Sequence, residues 1–172
     1  MHIIRLTPAL EECLFFHGLV LFNTRCYFLA HETWETCWRG MGPGPKRVMY
    51  HALIQCAVAL AHHEHGNAAG VAKMRQIYRP KLRALPDTFM GLDLGGLLRD
   101  VENFLDTPPT AAPSVTPGQP VPPTLQLLHD PFASGAAARL DVKLPEGNWR
   151  RACPTTPDSP PSVQTPNPPP NT

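Results

Sequence analysis

The sequence predicts an all-α fold, a compact bundle of about five helices around a buried central helix near residues 45–66. Three observations predict it. Apolar stretches of helical length fill the first 106 residues, each closed by glycine, proline or asparagine. One of them, ALIQCAVALA from Ala52 to Ala61, has Gln55 as its single polar residue, and a helix apolar on all sides is buried on all sides. Finally, 17 of the 22 prolines follow Asp106, so helix-forming sequence is concentrated before that point.

Each helix has its own start and stop. Thr7 followed by Pro8 is an N-cap with proline at the first helical position, and Glu11 and Glu12 suit the first turn. That predicts a helix over about Pro8 to Asn23. A second runs from about Tyr27 to Arg39, and the Gly- and Pro-rich stretch from Gly40 to Pro45 stops it. The third starts near Pro45 and ends at Gly66-Asn67. The fourth covers about Ala68 to Leu85, with Pro80 kinking or dividing it. The fifth covers about Leu92 to Leu105. Short links favour antiparallel neighbours.

Beyond Asp106 the chain changes character. Residues 107–123, TPPTAAPSVTPGQPVPP, form neither a helix interior nor a central strand and read as a linker with polyproline character. Residues 124–152 read as a short, partly ordered segment. Leu140, Val142 and Leu144 alternate with Asp141 and Lys143 as one short strand, with Thr124–Leu128 as its partner in a β-hairpin. An isolated hairpin is marginal in water, so this segment needs the main domain or a partner to pack on. Residues 153–172 are a proline-rich tail expected to be disordered. The domain plan is therefore 1–106, 107–123, 124–152 and 153–172.

Composition excludes several classes. The 15 Lys+Arg and 14 Asp+Glu give a net charge of +1, so no global charge draws the chain to nucleic acid or to an anionic membrane. The most apolar early stretch, Cys13 to Phe22, is interrupted by His17 and is too short to cross a bilayer. Cys13, Cys26, Cys37, Cys56 and Cys153 are odd in number and none forms a CxxC pair. They indicate neither a disulfide framework nor a zinc ribbon, and they suit the cytoplasm. No P-loop, dinucleotide fingerprint, nucleophile elbow or kinase signature occurs.

The second helix carries the most specific chemistry. At 100° per residue, His31, Trp34, Glu35 and Trp38 share a face with Tyr27 and Phe28. On the third helix Gln55, Ala59, His62 and Gly66 share a stripe. If the two stripes meet, His31, Trp34, Glu35, Trp38, Gln55, His62 and Asn67 form an interhelical polar and aromatic cluster. Buried, unpaired groups there are costly, and an unbonded Gln55 would cost about 1–3 kcal/mol. One reading is a structural hydrogen-bond network. Another is a divalent metal site, with His31, Glu35 and His62 as ligands and an open position for water.

The runs FHGLVLFNTRCYFLAHETWETCW, ALIQCAVALAHHEHGN and GLDLGGLLRDVENFL resemble the bacterial domain-of-unknown-function 309 family. That family shows a first helix bearing phenylalanine and glycine, then YFExHExxExxW, then a buried GLIQxAxAxxH helix ending in Gly-Asn. The resemblance spans about Phe15 to Leu105 and implies a small all-helical fold without an assigned activity. It carries the family's polar positions onto His31, Glu32, Glu35, Trp38, Gln55, His62, Gly66 and Asn67. Two departures matter. Leu29 stands where the family has glutamate, which weakens any mechanism needing several carboxylates. His63-Glu64-His65 replaces residues that are more often basic, which weakens phosphate binding at that turn.

Arg75, Arg79 and Arg83, with Lys73 and Lys81 beside them, read as a solvated helix face rather than a nucleic-acid patch. Of His62, His63 and His65, only His62 points inward by helical spacing. The PxxP match at Pro117–Pro120 is expected by chance in so proline-rich a segment. Three functional classes follow: a non-enzymatic scaffold or interaction module, a metal-dependent hydrolase, and a small-ligand binder using Trp34 and Trp38. No residue is assigned a catalytic role, no partner is named, and homo-oligomerisation stays open.

Overall fold

The computed structural model describes residues 6–109 and 121–132. Five helices, α1 (Pro8–Asn23), α2 (Tyr27–Gly40), α3 (Pro45–Glu64), α4 (Ala68–Arg83) and α5 (Leu94–Leu105), account for most of it. A small antiparallel hairpin, β1 (Thr88–Phe89) and β2 (Leu92–Asp93), precedes α5. The expected strand at 140–144, the proposed tail and residues 110–120 of the linker lie outside the described residues. Among the described residues, no helix is long and apolar enough to cross a membrane.

Local chemistry sets the ends. The Thr7 hydroxyl accepts the Leu10 amide at 3.2 Å, and Pro8 occupies the first turn of α1. Between α1 and α2 the chain turns in three residues, with Arg25 at φ 64° and its guanidinium held by Glu64 at 2.9 Å. Gly66 ends α3 at φ 67°, a conformation favourable to glycine, which lets the Asn67 amide reach back to the His62 carbonyl at 2.9 Å. The Asn67 side chain then caps α4 by accepting the Gly70 amide at 2.9 Å.

Two element expectations are corrected. Pro80 does not divide α4, which runs as one helix to Arg83. Helix α5 starts at Leu94 rather than Leu92, because Leu92 and Asp93 pair with Phe89 and Thr88. Met90 and Gly91 make that turn with φ of 47° and 72°, the primed geometry that matches strand twist.

The central position of α3 is as expected. Its buried residues cover every side of the helix, from Met49 and Tyr50 to Leu60 and His63. It packs on α2 on one side and α4 on the other, while α1 lies against α2 and α5 against α4 and α3. Phe15, Phe22, Tyr27, Trp34 and Tyr50 fill the space among α1, α2 and α3 and are essentially inaccessible. Gly18 lets this happen: a Cβ there would lie 2.1 Å from Trp34 Nε1.

Residues 121–132 return to the domain. Leu127 forms an antiparallel bridge with Leu92, the Asp93 amide donates to Gln126 O at 3.1 Å, and the Leu128 amide donates to Gly91 O. Thr124–Leu128 thus packs on the main domain, as its apolar content requires.

Candidate functional site

The buried stripe of α2 is Tyr27, Ala30, Trp34 and Cys37. Counting 100° per residue from its centre, Trp38 and His31 fall at the rim, and Phe28 and Glu35 sit roughly 120–140° away. The expected aromatic face therefore splits. Trp34 is core, but Phe28 is 58% exposed and stacks on His31 with centroids 5.7 Å apart. His31 Nε2 lies 4.0 Å from Glu35, and Glu35 also pairs with Arg39 at 3.0 Å. The other His31 nitrogen, Nδ1, is buried without a hydrogen-bond partner.

The α3 stripe faces a different neighbour from the one periodicity suggested. Gln55 reaches Lys81 of α4 at 3.0 Å. His62 accepts from Asn67 Nδ2 at 3.1 Å and packs so closely on α4 that a Cβ at Gly70 would meet its ring at 2.6 Å. The antiparallel register explains why. Arg25 lies opposite Glu64 and Trp38 opposite His51, which puts His31 level with Val58 and leaves His62 more than a turn away. Among the described residues, no three His, Cys, Asp or Glu side chains are grouped to hold a metal ion. The set His31, Glu35 and His62 is thus not brought together, and the seven-residue cluster separates into four parts: Trp34 in the core, His31 with Glu35 at the α2 rim, His62 with Asn67 at the α3–α4 turn, and Trp38 and Gln55 in the chain described next.

The polar chain that does form runs through residues the sequence reading missed. The Arg47 guanidinium lies 4.3 Å from the Trp38 ring centroid and donates to the Trp38 and Met41 carbonyls at the end of α2. The His51 ring lies 4.8 Å from Trp38. Gln55 Nε2 then lies 2.9 Å from His51 Nε2, and Gln55 Oε1 accepts from Lys81. Five side chains join α2, α3 and α4 this way. Burial, then Lys81 and Arg47, hold the His51 pKa below its usual range, and burial lowers that of Lys81. The available signal was spacing: Arg47, His51 and Gln55 recur every four residues on α3.

Two further groups lie elsewhere. Glu11, taken as a first-turn carboxylate, is 8% exposed and pairs with Lys46 at 3.0 Å beside Tyr50 and Cys37. Arg75 and Arg79 are not a free basic face, since both turn toward Glu102 of α5, which also accepts from Tyr78. His63, not His62, is the buried histidine: it is 7% exposed and its ring lies 5.1 Å from Phe104. A cleft of about 550 Å³ opens here, lined by His63, Arg75, Arg79 and Thr107 among others.

Residues 15–74 match the family model described as domain of unknown function (DUF309). Over those residues the helical domain is similar to that family. The match runs from mid-α1 to mid-α4, so it holds His31, Trp38, His51, Gln55 and His62, while Lys81 and α5 lie beyond it. The chain is similar to the uncharacterized protein YpuF of Bacillus subtilis (strain 168), at 36% identity over 93 residues, covering 51% of this chain and 52% of that protein. It is also similar to an uncharacterized protein of Aquifex aeolicus (strain VF5), at 29% identity over 86 residues, covering 50% of this chain and 26% of that protein. The chain thus spans about half the length of the first relative and about a quarter of the second. No solved structure matches. Family and relatives give no assignable reaction.

Proposed function

We propose that this helical domain is a non-enzymatic scaffold or interaction module whose polar side chains fix how the helices dock. One observation supports the reading best: Gln55 spends its amide on His51 and Lys81, joining the helices rather than addressing a cavity. Arg47 at the α2 carbonyls and Asn67 at the start of α4 act alike.

Elemental mass spectrometry on purified, untagged protein and on His31→Ala tests it. The expected result is no stoichiometric transition metal in either, with Gln55→Leu melting several degrees lower than wild type. A stoichiometric metal that disappears in His31→Ala would overturn the reading.

The cleft beside α4 and α5 supports a second reading, a small-ligand binder. Arg75 and Arg79 line it, each paired with Glu102 and each with a buried Nε that makes no hydrogen bond. A ligand held there raises the melting temperature of wild type and leaves Arg79→Ala unchanged.

A further inference from the structure

The seat of residues Thr124–Leu128 recognises a backbone. Asn23, the last residue of α1, holds both backbone polar groups of one residue: its Oδ1 accepts the Leu125 amide at 2.8 Å and its Nδ2 donates to the Leu125 carbonyl at 3.2 Å. Asp93 of β2 and Gly91 of the turn before it supply the neighbouring hydrogen bonds, to Gln126 and from Leu128. A single side chain is swallowed, with Leu125 at 2% exposure, while Leu127 and Leu128 stay 40% and 57% exposed. Downstream, the Phe132 ring closes on Phe15 and Phe16 with centroids 5.4 and 6.0 Å away. This is strand addition to an exposed sheet edge, in which backbone bonds give affinity and one pocket gives specificity.

We propose that this seat also accepts Thr124–Leu128 from a second copy of the chain, giving a strand-exchanged dimer. Every copy carries the one segment whose fit is displayed, so a trans complex repeats the same contacts without a new surface. The chain between Pro109 and Val121 reaches roughly 40 Å when extended, enough to hand the segment to an adjacent molecule. Exchange of an identical element is a low-cost route to dimers. Its equilibrium is set by the tether's effective concentration, which is in the millimolar range for short flexible linkers and differs for stiff ones. At micromolar concentration the cis seat therefore wins, and exchange emerges when cis docking is disabled.

Two full-length variants separate segment from seat. Leu125→Asp spoils the segment and keeps the seat; Asn23→Ala spoils the seat and keeps the segment. Each alone should remain monomeric in size-exclusion chromatography with light scattering. Mixed at high micromolar concentration, they should give a 1:1 species of about twice the mass of either. Helical circular dichroism confirms that both are folded, and Leu125→Ser replaces Leu125→Asp if the latter unfolds. Two folded variants that stay monomeric when mixed overturn the proposal. The inference goes beyond the scaffold reading and fails separately from it: a metal lost in His31→Ala leaves the exchange standing, and a missing mixed dimer leaves the scaffold standing.

Discussion

Gln55 and His51 share a hydrogen bond whose direction is fixed from a third residue. An ammonium only donates, so Lys81 must face the Gln55 oxygen. The Gln55 nitrogen is thereby turned to His51 Nε2, 2.9 Å away, and that ring nitrogen accepts. His51 is the neutral imidazole with its proton on Nδ1. Replacing Gln55 by leucine strands both partners in a half-buried setting. We expect a loss of about 1–3 kcal/mol in chemical denaturation. Gln55→Glu should instead draw a proton onto His51, raising its titration midpoint in NMR. A leucine variant of wild-type stability would show the bonds to be incidental.

The same arrangement sets a pH dependence. His51 titrates below its usual range through burial and the cations Lys81 and Arg47; burial also lowers His17, and burial with Arg75 lowers His63. For each, the unfolded chain binds the proton more tightly than the folded one, so stability rises with pH through this window. It should be full above about pH 6.5 and fall as pH drops from there toward the folded midpoints. Thermal melts between pH 7.5 and pH 5 check this. His51→Phe should start less stable at pH 7.5 and decline less steeply. A wild-type melting temperature that is flat across the range would contradict the argument.

Gly18 and Trp34 offer a packing test. A methyl at Gly18 would sit 2.1 Å from the indole nitrogen, and Trp34 has nowhere to go because it is fully buried. Alanine favours a helix over glycine by about 1 kcal/mol, yet overpacking of a filled core costs about 1–3 kcal/mol. With the clash falling on the ring itself, Gly18→Ala should be destabilising overall. Gly42→Ala, with nothing within 4 Å, should change stability by no more than about 0.5 kcal/mol. Equal melting temperatures for the two variants would refute the account.

What could be read from the sequence follows from what periodicity encodes. Thr7-Pro8 and Gly66-Asn67 are local signals, and the starts of α1 and α4 fall where they indicate. The all-round apolar run of α3 reports total burial directly. Periodicity gives faces but not neighbours: it defines the Gln55–His62 stripe without showing that Gln55 and His62 reach α4. For the same reason helical spacing points to His62, whereas Phe104 of α5 covers His63. The β1–β2 hairpin lacks an Asn-Gly signal, since Met90 takes the first positive φ, a conformation rarely adopted by such a residue. The Leu127 bridge depends on a contact across a long stretch of sequence, which no local pattern reports.

Cys37 brings the argument back to function. Its thiol is fully buried, and burial, reinforced by Glu11, pushes its pKa up to about 12. At neutral pH the thiol therefore stays protonated, and it is the thiolate that acts as a nucleophile. Burial also raises Cys56, which is equally inaccessible, whereas Cys13 is only partly buried. Brief alkylation of the native protein should therefore label Cys13 and spare Cys37 and Cys56, with all three labelled in denaturant. Peptide mass spectrometry reads the order. Native labelling of Cys37 as fast as Cys13 would reveal an accessible thiol between α2 and α3 and would reopen nucleophilic chemistry at the contact of Glu11, Cys37 and Tyr50.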